Sequence, residues 1–258
     1  ITPDLRIACD VVDKICIRHS ERDAVMNLDM LKKDIIQAGA LHTSVSSLEQ
    51  ALDLAIKNGW LIPAGNNAQE QPLVTAKHTL LTEQLCIEKM KAGQGQLTPI
   101  LAKNSNEIQA IQNHAKLTQG QKEAVKLILT TKDRIVAVQG IAGAGKTTAL
   151  KEINRLCEAN HYTMVLANTA GAKNQAKNAS GIDAKTTAQF IIKMETAIAK
   201  DLEKAKKDFG GNRLFVLDES SLASSKDLFR LQSIIEKLDA RLALIGDFKQ
   251  LGSIGAGL

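Results

Sequence analysis

The sequence predicts an α/β fold in which helices cover both faces of a parallel sheet, preceded by a small helical domain. From residue 117 onward, short apolar runs recur, and segments with helical apolar spacing separate most of them. The runs lie at residues 135–138, 164–166, 214–217 and 242–245. Because they are apolar without alternation, we expect strands buried on both faces, as in parallel sheets.

Composition narrows the class of protein. The chain has 258 residues, enough for about two domains, and it begins with Ile1, so we expect a piece of a longer protein. It contains no apolar run long enough to cross a bilayer and no signal-peptide pattern, which predicts a cytoplasmic protein with no membrane insertion. The four cysteines have no C-x-x-C spacing and the five histidines are scattered, which favours reduced thiols and indicates no histidine metal site.

The net charge of +5 is unevenly distributed. Residues 1–90 carry 9 Lys and Arg against 12 Asp and Glu, whereas residues 91–258 carry 24 against 16. A basic excess attracts polyanions such as nucleic acid. Part of this excess lies in a predicted solvent-exposed helix over residues 200–207. Charge alone therefore favours two interpretations equally: nucleic-acid binding, and a solvent-exposed surface with no binding role.

Residues 1–91 are predicted to form a winged-helix-like domain of three helices and a β-hairpin. The helical segments are 5–18, 28–38 and 46–58, and the hairpin strands lie at 60–62 and 72–75. Ser46 and Glu49 form a predicted capping box for the third helix, and Gly59 is its predicted stop.

The third helix is the one that enters a DNA groove in domains of this kind. Here it carries Glu49 and Asp53 against a single Lys57, and acidic side chains are repelled by phosphates. We therefore expect a structural or protein-docking role for residues 1–91. Residues 92–116, rich in Gly, Asn and Gln, are predicted to be a linker to a second domain over 117–258.

A complete phosphate-binding loop follows the first strand of the second domain. Residues 140–147 have the sequence Gly-Ile-Ala-Gly-Ala-Gly-Lys-Thr and precede a predicted helix over 148–158. Its glycines let backbone N–H groups turn toward phosphates, and the helix N-terminus favours anions. The lysine reaches the β- and γ-phosphates, and the threonine hydroxyl ligates Mg²⁺. The residues predicted to bind nucleotide here are Gly140, Gly143, Gly145, Lys146, Thr147 and Thr148.

Further polar residues follow the other predicted strands, at the edge of a parallel sheet where ligands bind. Asp218 can hold Mg²⁺ through its water shell, and Glu219 can orient and deprotonate an attacking water. The alternative is a surface acidic pair that caps the following helix. Gln250, just past the last strand, can contact the γ-phosphate, and Gly246 permits the tight exit of the chain.

Three hydroxyl or basic residues are candidates for nucleic-acid phosphates. Thr169 and Lys173 follow the second strand, and Thr187 precedes a predicted helix over 188–199. Backbone N–H groups at such positions can bind phosphates, although helix capping explains the same residue types. Gln121, about twenty residues before the loop, can donate to and accept from an adenine edge at once.

Taken in order, five segments resemble the first half of RecD-like superfamily 1 DNA helicases. They are residues 117–121, 140–147, 167–173, 218–221 and 246–251, which correspond to the Q motif and motifs I, Ia, II and III. Segments 19–25, 55–63 and 133–136 make the sequence similar to conjugative relaxase-helicases of the TraI/TrwC type. The resemblance covers essentially the whole chain and implies a RecA-like motor domain.

The resemblance also implies residue roles, cofactors and partners. Lys146, Asp218, Glu219 and Gln250 would be catalytic, Thr147 and Asp218 would hold Mg²⁺, and ATP would be the nucleotide. Single-stranded DNA would be the main partner, with relaxosome and type IV secretion components in the bacterial cytoplasm. The family's second RecA-like domain, with its arginines, is absent from this sequence, so we expect the fragment to bind ATP–Mg²⁺ but to hydrolyse ATP poorly by itself.

Four functions stay open at this point. The first is the ATP-binding half of a helicase that moves 5′ to 3′ in conjugative DNA transfer, and the second is a RecD-like repair helicase. A third is a P-loop ATPase that acts on a protein partner, favoured by the scarcity of aromatic residues that stack bases. A fourth is an idle docking domain for a secretion channel, against which the intact Lys146, Asp218 and Glu219 argue.

Overall fold

The computed structural model describes residues 2–139, 145–168 and 185–246. The chain folds into two compact units, and the division between them falls after Leu85 apart from a short segment, residues 223–226, that groups with the first unit. The side chains of Asn168 and Lys185 are outside the description, although their backbone belongs to strands. Among the described helices, none is long and apolar enough to span a membrane.

The first unit is a bundle of three helices with a small antiparallel sheet. Its elements are α1 (Pro3–Ser20), β1 (Met26–Asn27), α2 (Leu28–Gly39), α3 (Val45–Lys57), β2 (Leu61–Asn66) and β3 (Pro72–Ala76). The strand order is β1-β3-β2. This confirms the three helices and the hairpin predicted from the sequence, and it adds the two-residue strand β1, which is too short to give an alternation signal.

The apolar faces of the three helices meet in one core. Ala8 of α1, Leu31 of α2 and Leu48 of α3 are fully buried together with Leu61 of β2. The predicted capping box at Ser46 is wrong: the N-cap of α3 lies two residues earlier, at Ser44, whose hydroxyl accepts from the Ser47 N–H at 3.1 Å.

The predicted stop at Gly59 is confirmed. Its φ of +71° lies in the left-handed region that glycine enters without steric cost, and the Trp60 N–H donates to the Ala55 carbonyl as the chain turns away from α3.

The second unit is built on a five-stranded parallel sheet. The division between the units falls within the first of its helices, α4 (Lys77–Ala92). The elements that follow, in chain order, are α5 (Asn106–Gln112), α6 (Gln119–Thr130), β4 (Ile135–Gln139), α7 (Lys146–Ala159), β5 (Thr163–Asn168), β6 (Lys185–Thr186), α8 (Thr187–Lys200), α9 (Leu202–Phe209), β7 (Arg213–Asp218), α10 (Ser225–Lys237) and β8 (Arg241–Gly246). The strand order is β4-β8-β7-β5-β6, and all pairs are parallel. The α/β fold with a parallel sheet flanked by helices is therefore confirmed.

One core of this unit lies between one face of the sheet and helices α5, α6 and α7. Fully buried side chains include Leu129, Ile153, Val216 and Ala243. All four cysteines of the chain are free thiols, and three of them, among them Cys157 in this core, are buried.

The stretch expected to be a linker, residues 92–116, contributes to this core. Ile100, Leu101, Ile108 and Ile111 are buried in it, and the Leu101 N–H donates to the Leu129 carbonyl at 2.9 Å. The Gly, Asn and Gln content of the stretch led to the prediction of a linker, although it contains the apolar pair Ile100 and Leu101 and the pair Ile108 and Ile111, which has helical spacing. The exact domain boundaries stay a proposal.

Candidate functional site

The parallel register places the carboxyl ends of the strands at one edge of the sheet. Gln139 of β4 lies beside Gly246 of β8, and Asp218 of β7 lies between Ile245 of β8 and Asn168 of β5. Ligands of open α/β sheets bind at this edge. The carboxyl edge is therefore where the predicted site residues that the structure describes should meet.

Lys146 and Asp218 do meet there, although 71 residues separate them in the chain. Lys146 is the first residue of α7 and Asp218 is the last residue of β7. The Lys146 Nζ lies 3.6 Å from the Asp218 Oδ1, and their side chains are only 22% and 18% exposed. At this distance the two charges compensate each other without a hydrogen bond. Lys146 can therefore exchange Asp218 for another anion, and Asp218 can exchange Lys146 for another cation.

The chain leaves Asp218 through an unusual turn. The Asp218 Oδ1 accepts from the Glu219 N–H at 2.9 Å, and Glu219 has a φ of +55°. A left-handed conformation costs a non-glycine residue roughly 1–2 kcal/mol, and such strain is concentrated at functional sites. A short 3-10 turn, Ser220–Leu222, follows.

Gly246 packs against this turn. A Cβ atom added at Gly246 would lie 2.7 Å from the Ser220 Oγ, closer than real Cβ atoms approach, and 3.0 Å from the Ser221 nitrogen, which is tighter than most real contacts. The sequence predicted that a glycine permits the chain to leave β8 tightly. The close approach of the Ser220 hydroxyl and the Ser221 backbone nitrogen gives a second reason for glycine at this position, which no sequence pattern indicated.

Gln121 connects the start of α6 with the start of α7. Its Oε1 accepts from the Thr118 N–H at 2.9 Å while Thr118 caps α6, so the two residues form a capping box. Its Nε2 donates to the Gly145 carbonyl at 3.1 Å. Gly145 has a φ of +71°, and a Cβ added there would collide with the Gln121 Nε2.

The adenine contact of Gln121 stays a prediction, but its proximity to the end of the phosphate loop was missed. The Thr-x-x-Gln spacing was the signal that could have indicated the capping box. The long-range contact to Gly145 has no sequence signal.

The remaining site residues divide between described and undescribed parts of the chain. Thr147 and Thr148 lie in the first turn of α7, and the Thr148 N–H donates to the Gly145 carbonyl at 2.9 Å. Thr187 is the first residue of α8 and is buried, while its neighbour Thr186 caps the helix by accepting from Gln189. The predicted residues that lie outside the described part of the chain are Gly140, Gly143, Thr169, Lys173 and Gln250.

The oxygen donors at this edge fit Mg²⁺. Mg²⁺ is usually held by one or two carboxylates and a few further oxygens, and it keeps several waters. Asp218 supplies a half-buried carboxylate, and Thr147 supplies a hydroxyl on the first turn of α7. No group of three or more His, Cys, Asp or Glu that would hold another kind of metal is found in residues 2–139, 145–168 and 185–246.

Comparison with known proteins finds relatives named for conjugation. The chain is 31% identical over 190 residues to the "Multifunctional conjugation protein TraI" of Escherichia coli (strain K12), covering 72% of this chain and 10% of that protein. It is 32% identical over 149 residues to the "Probable conjugal transfer protein TraA" of Sinorhizobium fredii, covering 57% and 13%. A "Conjugal transfer protein TraA" of Agrobacterium fabrum is 29% identical over 145 residues, covering 56% and 12%.

The chain thus spans about a tenth of the length of these curated relatives. The matches confirm the predicted resemblance to conjugative relaxase-helicases of the TraI type. Residues 116–258 also match the AAA domain family along their whole length. Because this match covers more than half of the chain, the chain belongs to the AAA domain family.

Proposed function

We propose that this chain is the ATP-binding half of a motor that moves 5′ to 3′ along single-stranded DNA in conjugative transfer. The observation that carries the proposal is the Lys146–Asp218 pair at the carboxyl edge of the sheet. A lysine at a helix N-terminus facing a carboxylate at a strand end is the pairing that nucleoside triphosphate hydrolysis with Mg²⁺ requires. The similarity to proteins named for conjugation favours DNA transfer over the repair alternative.

The described residues would divide the chemistry among themselves. Lys146 would leave Asp218 and neutralise phosphate oxygens, while Asp218 and Thr147 would hold Mg²⁺, which supplies charge neutralisation at the phosphates. Glu219 would take the proton from the attacking water. Its left-handed backbone would fix the direction of its side chain relative to Asp218.

Charge and family together support DNA as the substrate of the motor. Residues 91–258 carry 24 Lys and Arg against 16 Asp and Glu, and such an excess attracts the DNA backbone. Relaxosome and type IV secretion components are further proposed partners. For the first unit we propose a structural or protein-docking role, because its third helix carries Glu49 and Asp53.

ATP turnover tests the proposal when it is measured on the native protein that carries this sequence, with and without single-stranded DNA. We expect DNA to stimulate turnover and Glu219→Gln to abolish the stimulated rate. Glu203→Gln is the matched control, because Glu203 is exposed on α9 and forms an ion pair one turn away with Lys206. Turnover that DNA does not change would favour an ATPase directed at a protein partner.

A further inference from the structure

The second unit contains a cavity at the edge of the sheet opposite to the Lys146–Asp218 pair. It has a volume of about 210 Å³, and Arg134 and Ile135, at the beginning of β4, form one side of it. Because β4 has five residues, roughly 16 Å separates this amino edge from the carboxyl edge. The cavity is therefore distinct from the proposed nucleotide site. Its polar lining residues are Lys89, Gln96, Arg134, Gln232 and Glu236.

Gln232 is the feature of this cavity that points to an occupant. The residue is fully buried, and within residues 2–139, 145–168 and 185–246 neither its Oε1 nor its Nε2 has a hydrogen-bond partner. A buried unpaired carboxamide destabilises a fold, whereas an apolar side chain of the same size would not. A carboxamide offers a donor and an acceptor side by side, so its complement is another amide group.

The N–H donors of the lining favour an anion. Lys89 and Arg134 contribute two positive charges, and Glu236 contributes one negative charge. Lys89 is paired with Glu236, and the Arg134 Nη1 is bonded to Asp239 and to the Ala240 carbonyl. Lysine has three N–H donors and arginine five, so donors exceed the acceptors that these contacts provide. A single carboxylate would use the excess donors.

We propose that this cavity binds a compact ligand that carries one carboxylate and one amide group, as the free C-terminus of a polypeptide chain does. The volume of the cavity suits such a ligand. One water-sized atom needs about 15 Å³, so the cavity holds on the order of a dozen non-hydrogen atoms. The carboxylate would pair with Lys89 and Arg134, and the amide would satisfy Gln232. A small acylated amino acid has the same chemistry.

Access to Gln232 requires one movement. Because its side-chain atoms are sealed from solvent, a ligand reaches them only when a neighbouring side chain moves. Glu236 lies one helical turn after Gln232 on α10, and its side chain is 59% exposed in the ion pair with Lys89. An incoming carboxylate can replace Glu236 as the partner of Lys89, which opens the cavity as the ligand enters.

The test uses the whole 258-residue chain labelled with ¹⁵N, titrated with N-acetylglycylalanine and with the same compound amidated at its carboxyl end. The readout is the side-chain NH₂ resonance of Gln232, assigned through its loss in Gln232→Met. We expect a saturable shift with the acid and at least tenfold weaker binding of the amide, because it cannot form charge-assisted hydrogen bonds with both cations. A ten-residue peptide with the same end identifies the source: tighter binding indicates a chain terminus, and equal affinity indicates a small molecule.

Two variants and a control complete the experiment. Gln232→Met should melt a few degrees higher than the unchanged chain, since it removes the unpaired carboxamide. It should also lose the ligand, and in this variant binding is followed by the backbone N–H resonances of the lining residues Gly93 and Arg134. Lys89→Gln should bind the acid at least tenfold more weakly and tests the proposal even if Gln232→Met fails to fold. Gln50→Met, on the exposed side of α3, should change neither property. No saturable shift up to roughly 10 mM of the acid, or equal affinity for acid and amide, would overturn the proposal.

Discussion

Replacing Gly145 with alanine tests whether Gln121 holds the end of the phosphate loop in place. The new Cβ would sit on a backbone with a φ of +71°, which costs an alanine roughly 1.5 kcal/mol. It would also collide with the Gln121 Nε2 and displace that side chain. Gln121 would then lose its hydrogen bonds to the Gly145 carbonyl and the Thr118 N–H, at about 1 kcal/mol each.

These contributions predict a specific pattern of non-additivity. Gly145→Ala should reduce the free energy of unfolding by about 3.5 kcal/mol, and Gln121→Ala, which loses the same two hydrogen bonds, by about 2 kcal/mol. In the double variant the collision no longer exists, so the loss should again be about 3.5 kcal/mol. The double variant would thus be about 2 kcal/mol more stable than the sum of the single losses predicts.

Urea unfolding can follow each unit separately. The chain has one tryptophan, Trp60, in the first unit and one tyrosine, Tyr162, in the second. The losses should appear in the transition reported by Tyr162 and leave that of Trp60 unchanged. Additive losses in the double variant, or a Gly145→Ala loss below about 0.5 kcal/mol, would refute the contact between Gln121 and the loop.

Three further predictions follow from the geometry. In Gly246→Ala the new Cβ would press on the Ser220 hydroxyl and the Ser221 backbone nitrogen, which follow Glu219, so ATP turnover should fall at least tenfold while the Kd for ATP changes less than about twofold. A larger loss of binding than of turnover would contradict this. Asp218→Asn should weaken ATP binding about tenfold with Mg²⁺ present but not in its absence, as measured by calorimetry; equal losses would exclude a metal role. Burial raises the pKa of the Cys16 and Cys157 thiols from 9.0 to about 12. Unfolded thiols ionise above about pH 9, whereas the buried thiols stay neutral, so the free energy of unfolding should fall as the pH rises from 9 toward 12. Cys157→Ala should make this fall less steep. An unchanged slope in Cys157→Ala would be the contrary result.

The sheet was predictable because each of its four long strands contains an uninterrupted apolar run. The same rule failed for β6, whose two residues, Lys185 and Thr186, pair with the end of β5 but carry no apolar signal. Two-residue strands are stabilised by the neighbour they pair with rather than by their own pattern. The buried residues of 100–111 were missed because loop-forming composition outweighed a few apolar positions.

The meeting of Lys146 and Asp218 was predictable in outline, since both follow parallel strands and such strands end at one edge. The left-handed backbone of Glu219 and the contact between Gln121 and Gly145 depend on long-range positions that no local pattern encodes. The unpaired Gln232 is a further case, because a glutamine in an amphipathic helix does not indicate whether a partner faces it.

Binding of ATP–Mg²⁺ to the chain, measured by calorimetry, tests most directly whether the carboxyl edge is a nucleotide site. Lys146→Met removes the lysine that faces Asp218, and Lys151→Met, on the exposed side of the same helix α7, is the matched control. We expect at least tenfold weaker binding for Lys146→Met, because charge-assisted hydrogen bonds to phosphate are lost, and unchanged binding for Lys151→Met. Equal affinity of the unchanged chain and Lys146→Met would contradict this.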